Sequence, residues 1–482
     1  MSALSILTPS DASDLENKGL LGPRTGRGTR LIHNRRLNAQ ADNEYQHISL
    51  DTPLTSLNAF TEFPEFLISY ATLIHVGFTD RRATNIWEKW TNWPSTGPSR
   101  EIDPPRGNPQ VTFFDFIIGR FSGLPDTWTD NDPNWLTLLS GYGLNHETQL
   151  AIMDPMFKYT RLTMSCLDWA KDTIRMRFEA LRDMQRASRL RDSGLINLVS
   201  LTGPASFGIQ TRNAHTRAES SQTGQGSLGG GSSASSRGGR LNRSSSSVQR
   251  DGTRGVAAGS SRSASAIAAR NAPGFTILFK GVEQHRVANL LNVNGQIDRI
   301  SPLRSWAPTD FSGHGELYYF TPDYKVAERY AAFAKRRGHN LAVCIVSIAI
   351  PNSAIEQMDS PELLRTFWPS PEWKELIWTC RRGQIHPRHL RKYKLATIVI
   401  GTISSRPNAL YETMQSPAGI TSDFVLKVDD MNPNSAPATQ FVFSAEEGEE
   451  FFREHVGRNI RVTPFTRSDL EEWVNDFRRS LS

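Results

Sequence analysis

The sequence predicts a multidomain chain of α and α+β parts. An all-α domain spans 46–202, a long disordered linker 203–272 and an α+β domain 273–482, and a disordered basic segment, 1–45, precedes them. Three observations predict this. In 46–202 apolar residues recur at spacings of three and four, the pattern of helices that bury one face. Residues 203–272 hold 12 Gly and 16 Ser among 70, a composition that buries too little apolar surface to offset the entropy of ordering. Beyond 273, short runs rich in Val, Ile, Phe and Tyr are bounded by Gly, Pro, Asn or Asp, as strands are.

The 482 residues suit roughly three units at about 150 residues per domain. With 38% hydrophobic residues and a mean hydropathy of -0.44, the chain can bury cores, but not along its whole length. No apolar run reaches the ~18 residues of a membrane-spanning helix, and the start lacks the apolar stretch of a signal peptide. Cys166, Cys344 and Cys380 are too few and too scattered for a disulfide scaffold. The expected setting is intracellular, cytoplasmic or nuclear, with no membrane partner.

The net charge of +6 matters less than its location. Residues 203–272 contain nine Arg, no Lys and two acids, a local balance of +7, and the first 45 residues add +1. The remainder is left at -2. A strongly basic folded nucleic-acid-binding domain is therefore disfavoured, and any nucleic-acid contact is expected only through the Arg-rich linker.

In the first domain Asp80 is a plausible cap for a helix with Ile86, Trp87, Trp90 and Trp93 on one side. Further helices are expected at Leu57–Val76, at Val111–Phe121 and in a long segment starting near Pro155. This aromatic stripe suits either a buried core or a ligand cavity, and core is the expectation. In the second domain strands are expected at Phe275–Phe279, Leu317–Phe320, Leu341–Ile350, Leu395–Ile403, Phe424–Val428 and Gln440–Phe443. Thr321 and Pro322 look like the cap and first turn of a helix ending at Gly338, with Val326, Ala327, Tyr330, Ala331 and Ala334 as its stripe. Ser444 precedes an acidic turn suited to a helix N-terminus.

Phosphate-loop and nucleophile-elbow motifs are absent. Cys380, His386 and His389 are spaced like metal ligands but lack a fourth, so a solvated loop is expected there and no metal. The six Lys and Arg between Arg381 and Lys394, with no acid among them, suit a solvated face or a phosphate contact.

One combination is more specific. Phe279-Lys280-Gly281 ends a strand; Asp310-Phe311-Ser312-Gly313 leads through Leu317-Tyr318-Tyr319-Phe320-Thr321 into the helix; Gln440 opens a late strand. This order resembles the ADP-ribosyltransferase fold, in particular its divergent fungal and microbial members. The resemblance runs from about Phe275 to Phe443 and implies two small sheets flanking a cleft. It implies NAD as substrate, with Lys280 on ribose or phosphate, the Gly281 backbone on the nicotinamide amide, Tyr318 or Tyr319 as stacking ring, Thr321 orienting Lys280 or the ribose, and Gln440 in the catalytic position. Each also has an ordinary place: the tyrosines as strand core, Thr321 as a cap, Lys280 as a surface lysine, Gln440 as a strand-edge polar group.

Family members carry Gln or Glu on this late strand and usually present a catalytic carboxylate there, whereas Gln440 has no charge. Two functions follow from the resemblance. One is an enzyme transferring ADP-ribose to an unknown acceptor, its target selected by the helical domain. The other is an inactive pseudoenzyme that keeps the fold and acts as an interaction or regulatory protein.

Overall fold

The computed structural model describes residues 5–56, 58–104, 107–194, 273–292, 294–429, 432 and 434–481. The expected linker and the last residues of the expected helical domain lie outside them.

The expectation of a disordered 1–45 is corrected by residues 5–45. Thr8 caps α1 (Pro9–Asn17), and β1 (Thr29–His33) pairs antiparallel with β2 (Phe60–Pro64), Thr29 facing Pro64 and His33 facing Phe60. Leu15, Leu20, Leu21 and Ile32 form a small core. The charges that suggested disorder are paired internally: buried Arg30 donates to the Gly22 carbonyl, Arg35 to Asp42, and Arg191 holds Asp11 at 2.9 Å. β2 also replaces the first half of the helix expected at Leu57–Val76, of which only α2 (Tyr70–His75) forms. Phe60 and Phe63 are buried in β2, and pairing with β1 decides its conformation.

The rest of the first region is helical: α3 (Asp80–Thr91), α4 (Phe113–Gly119), α5 (Asp132–Gly141), α6 (His146–Ile152) and α7 (Cys166–Asp192). Thr79, rather than Asp80, caps α3 through its hydroxyl. Pro155 opens only a short turn, and α7 starts beyond it behind the Ser165 cap. Trp90, Trp135 and Trp169 are buried in one core.

The second region has two sheets. β3 (Phe275–Glu283), β6 (Val343–Pro351) and β10 (Ile460–Phe465) form a three-stranded antiparallel sheet with β6 central. β4 (Arg304–Ser305), β5 (Leu317–Phe320), β9 (Thr439–Phe443), β8 (Ile398–Thr402) and β7 (Leu363–Thr366) lie in that spatial order in a second sheet. In it β7 and β8 run parallel, linked through α9 (Pro371–Arg381) and α10 (Arg391–Leu395). Leu278, Val346 and Ile348 of one sheet meet Phe320, Ile398 and Phe443 of the other in a common core. Phe424–Val428 makes isolated bridges instead of the expected strand.

Two helices complete the region beside α8 (Tyr324–Arg337): α11 (Glu447–Phe451), whose Gly448 amide donates to Ser444, and the C-terminal α12 (Arg467–Leu481). Asp323, rather than Thr321, occupies the cap of α8, and Gly338 ends it.

The helical and α+β regions share one core. Phe333 of α8 stacks on Phe157 at 5.0 Å and meets Trp169 edge-on at 4.9 Å, while Trp473 of α12 lies flat on Phe157 at 4.8 Å. The basic end of α8, which in sequence resembles a helix stop, joins the two regions. Lys335 pairs with Glu44 at 2.6 Å, Arg336 with Asp154 at 2.8 Å and Arg337 with Asp172 at 2.7 Å. Hydrophobic burial drives such docking, and the ion pairs fix its register.

Candidate functional site

The two sheets touch where β3 passes the end of β5. The Phe279 amide donates to the Thr321 carbonyl at 2.7 Å, and the Thr321 amide donates back at 2.9 Å. The stretches singled out in sequence surround this joint, but a strand turns successive side chains to opposite faces. Their groups therefore separate.

Lys280 points between the sheets. Its ammonium donates to the Tyr319 carbonyl at 3.1 Å and the Ser305 hydroxyl at 3.3 Å, with no carboxylate partner. Burial, aided by the Arg286 charge, lowers its pKa to about 7. Gly281 turns the other way, against α8: an added Cβ would collide with the Ala327 carbonyl and stand 2.9 Å from the Ala331 nitrogen. Its small size is explained by helix packing.

Tyr318 also faces the inter-sheet core. It is fully buried and packs edge-on against Phe452 at 5.4 Å. Its hydroxyl donates to Glu449 at 3.0 Å and accepts from Arg304 at 2.9 Å, and burial lifts its pKa to about 12. Tyr319 lies on the opposite face of the sheet, its hydroxyl against Thr309 at 2.6 Å and accepting from the Phe311 amide. Tyr318 is enclosed in the core, whereas Tyr319 is half-buried on the other face. Thr321 donates to the Thr439 carbonyl and accepts from the Asp323 amide, tying β5 to β9 and to the start of α8.

Gln440 shares the Tyr319 face and is 4% exposed, so it is no strand-edge residue. Its amide donates to Asp310 at 2.7 Å and to the Thr402 carbonyl at 3.3 Å. Asp310 is the hub of this network. Its carboxylate also accepts from Arg381 at 2.7 Å, from the Ser404 hydroxyl at 2.6 Å and from the Ser404 amide at 2.8 Å. Arg381 reaches on to Asn408 at 3.0 Å. Burial works against the Arg381 charge, but Asp310, together with Tyr411 and Tyr319, outweighs it and raises the pKa. A buried carboxylate with four donors, one of them a guanidinium, is a satisfied group that locks elements together.

Sequence reasoning placed Arg381 in a basic run and quoted Asp310 only as part of a turn. Ser404, Asn408 and the Asp310–Arg381 pair carried no local signal, because 71 residues separate the ion pair. The Cys380 cluster is likewise corrected. Cys380 and His386 are buried with sulfur and Nε2 3.4 Å apart, so this is no solvated loop, while exposed His389 pairs with Glu375 at 3.0 Å. Among the described residues no group of three or more His, Cys, Asp or Glu side chains is placed to hold a metal.

A depression of about 950 Å³ lies beside α11, lined by Arg304, Glu446, Glu447, Glu449, Arg453 and Glu454. The buried Tyr318 hydroxyl reaches its wall through Glu449. None of the six proposed NAD contacts lines it.

Comparison with protein families, with curated proteins and with solved structures finds no match for this chain.

Proposed function

We propose that the α+β region is an ADP-ribosyltransferase-like module that does not cleave NAD, and that the protein works as an interaction or regulatory protein through its surfaces. The observation that carries this reading is the state of Gln440. It is neutral, buried and committed to Asp310. Cleavage at the nicotinamide–ribose bond builds positive charge on the sugar. A fixed carboxylate is worth about 3 to 4 kcal/mol there, or 10² to 10³ in rate. An amide locked beneath the sheet supplies none of that stabilisation. The position of Tyr318 inside the core points the same way.

Calorimetry of the full chain with NAD, followed by an assay of nicotinamide release, tests the proposal. The expected result is no release above the uncatalysed rate, whether or not NAD binds. Release that disappears in Gln440→Ala would overturn it and restore the transferase reading, with ADP-ribose passed to a protein acceptor.

A further inference from the structure

The three most exposed large apolar side chains among the described residues are Trp306 at 77%, Ile385 at 74% and Leu395 at 71%. They stand on segments that meet. The loop holding Trp306 lies against the loop holding Ile385. Gly383 faces Pro308, and Gly313 approaches the Gln384 backbone so closely that a Cβ there would stand 2.9 Å from its nitrogen. The segment from Arg388 to Leu395 packs into the same core through Leu390 and Tyr393, which join Phe311 and Cys380 there. His386, next to Ile385, is buried. Burial lowers its pKa first, against a hydrogen bond with the Phe311 backbone, and the charges of Lys394 and His314 lower it further.

The segment from Arg388 to Leu395 also carries free cations. Arg388, Arg391 and Lys394 are exposed, and no ion pair engages them among the described residues. The nearby acids of α9 are already occupied, Glu372 by Lys392 at 2.6 Å and Glu375 by His389 at 3.0 Å. Three protruding apolar side chains and three unpaired positive charges thus lie on these meeting segments.

We propose that these side chains share one face and that it docks peripherally onto an anionic phospholipid bilayer. Side chains about three-quarters exposed line no groove, so they enclose neither a peptide nor a small ligand. A fluid interface accommodates such separate protrusions. Tryptophan settles at headgroup depth and aliphatics enter the acyl boundary. Arginine and lysine are drawn to anionic lipid. Single-stranded nucleic acid is held by aromatic stacking and basic grooves, which leaves Ile385 and Leu395 without a role. Docking of this kind needs no spanning segment, and no helix among the described residues is long and apolar enough to cross a membrane. It goes beyond the expectation of no membrane partner and is independent of the NAD reading.

The test is co-sedimentation of the full chain with vesicles of phosphatidylcholine alone or of equal parts phosphatidylcholine and phosphatidylserine. The chain is expected to pellet with the mixed vesicles and to be released by salt. Each cation near the surface contributes about fivefold, so the triple variant R388E/R391E/K394E should lower partitioning roughly a hundredfold or more. I385S/L395S should lower it about tenfold or more, since two aliphatic side chains are no longer buried on binding. These residues are exposed, and the nine arginines of 203–272 stay unchanged in both variants. A loss is therefore assigned to this face, provided that urea midpoints match wild type. Equal pelleting with both vesicle types, or wild-type partitioning by either variant, would overturn the proposal. So would binding of a single-stranded RNA oligonucleotide that R388E/R391E/K394E abolishes while vesicles are not bound.

Discussion

Replacing Gln440 with glutamate restores the residue type an ADP-ribosyltransferase carries and tests what the position does here. The amide nitrogen lies 2.7 Å from Asp310, and a carboxylate oxygen in its place would face another carboxylate at hydrogen-bond distance. Two unit charges about 4 Å apart already repel by about 4 kcal/mol at an effective dielectric near 20. One of the pair escapes by taking up a proton. For a group of ordinary pKa about 4.3, that costs about 1.4 kcal/mol for each of roughly 2.7 units at pH 7, or about 4 kcal/mol. The folded pair then holds more protons than the unfolded chain between about pH 4 and 7, so the penalty shrinks as pH falls through this window. Gln440→Met, which merely removes the bond to a charged group, should cost about 1.5 to 3 kcal/mol without that pH dependence. Urea unfolding of wild type and both variants from neutral pH to about pH 4.5 reads the difference. A glutamate variant as stable as wild type at pH 7, or a gap that does not narrow on acidification, refutes the internal role of Gln440. The glutamate variant should also release no nicotinamide.

Lys280, with its pKa lowered to about 7 against an ordinary lysine near 10.4, carries fewer protons folded than unfolded between those values. Stability should rise with pH across that window, and Lys280→Met should remove the rise in urea midpoints. Glu44→Ala leaves Lys335 buried without its partner and should cost about 3 to 5 kcal/mol; limited trypsin digestion should then cut sooner within residues 5–45. Gly281→Ala forces β3 off α8 and should cost about 1 to 3 kcal/mol in a denaturant titration.

Local signals recovered some elements closely. Leu317–Phe320 is a strand with the expected limits, Gly338 ends α8, and Ser444 holds the first turn of α11. Elsewhere distant partners decided. Phe60–Pro64 has helical neighbours in sequence, yet pairs with β1. Five arginines between Arg24 and Arg36 suggested solvent and disorder, yet Arg30 and Arg35 serve internal contacts. Thr321 looks like a cap, but its hydroxyl ties β5 to β9 and the cap falls to Asp323.

The candidate site shows the same division. Period-two alternation already sends Lys280 and Gly281 to opposite faces, as it does Tyr318 and Tyr319, so a single cleft holding all four was never a local property. What the amino-acid order determines by itself is the placement of charge, the helical and strand periods and the absence of a carboxylate at position 440. Only the tertiary structure decides that Gln440 meets Asp310, 130 residues away, and that the helical and α+β regions close over one core. The reason is physical: periodicity and capping act over a few neighbouring residues, whereas burial and buried polar pairing depend on which surfaces the folded chain brings together.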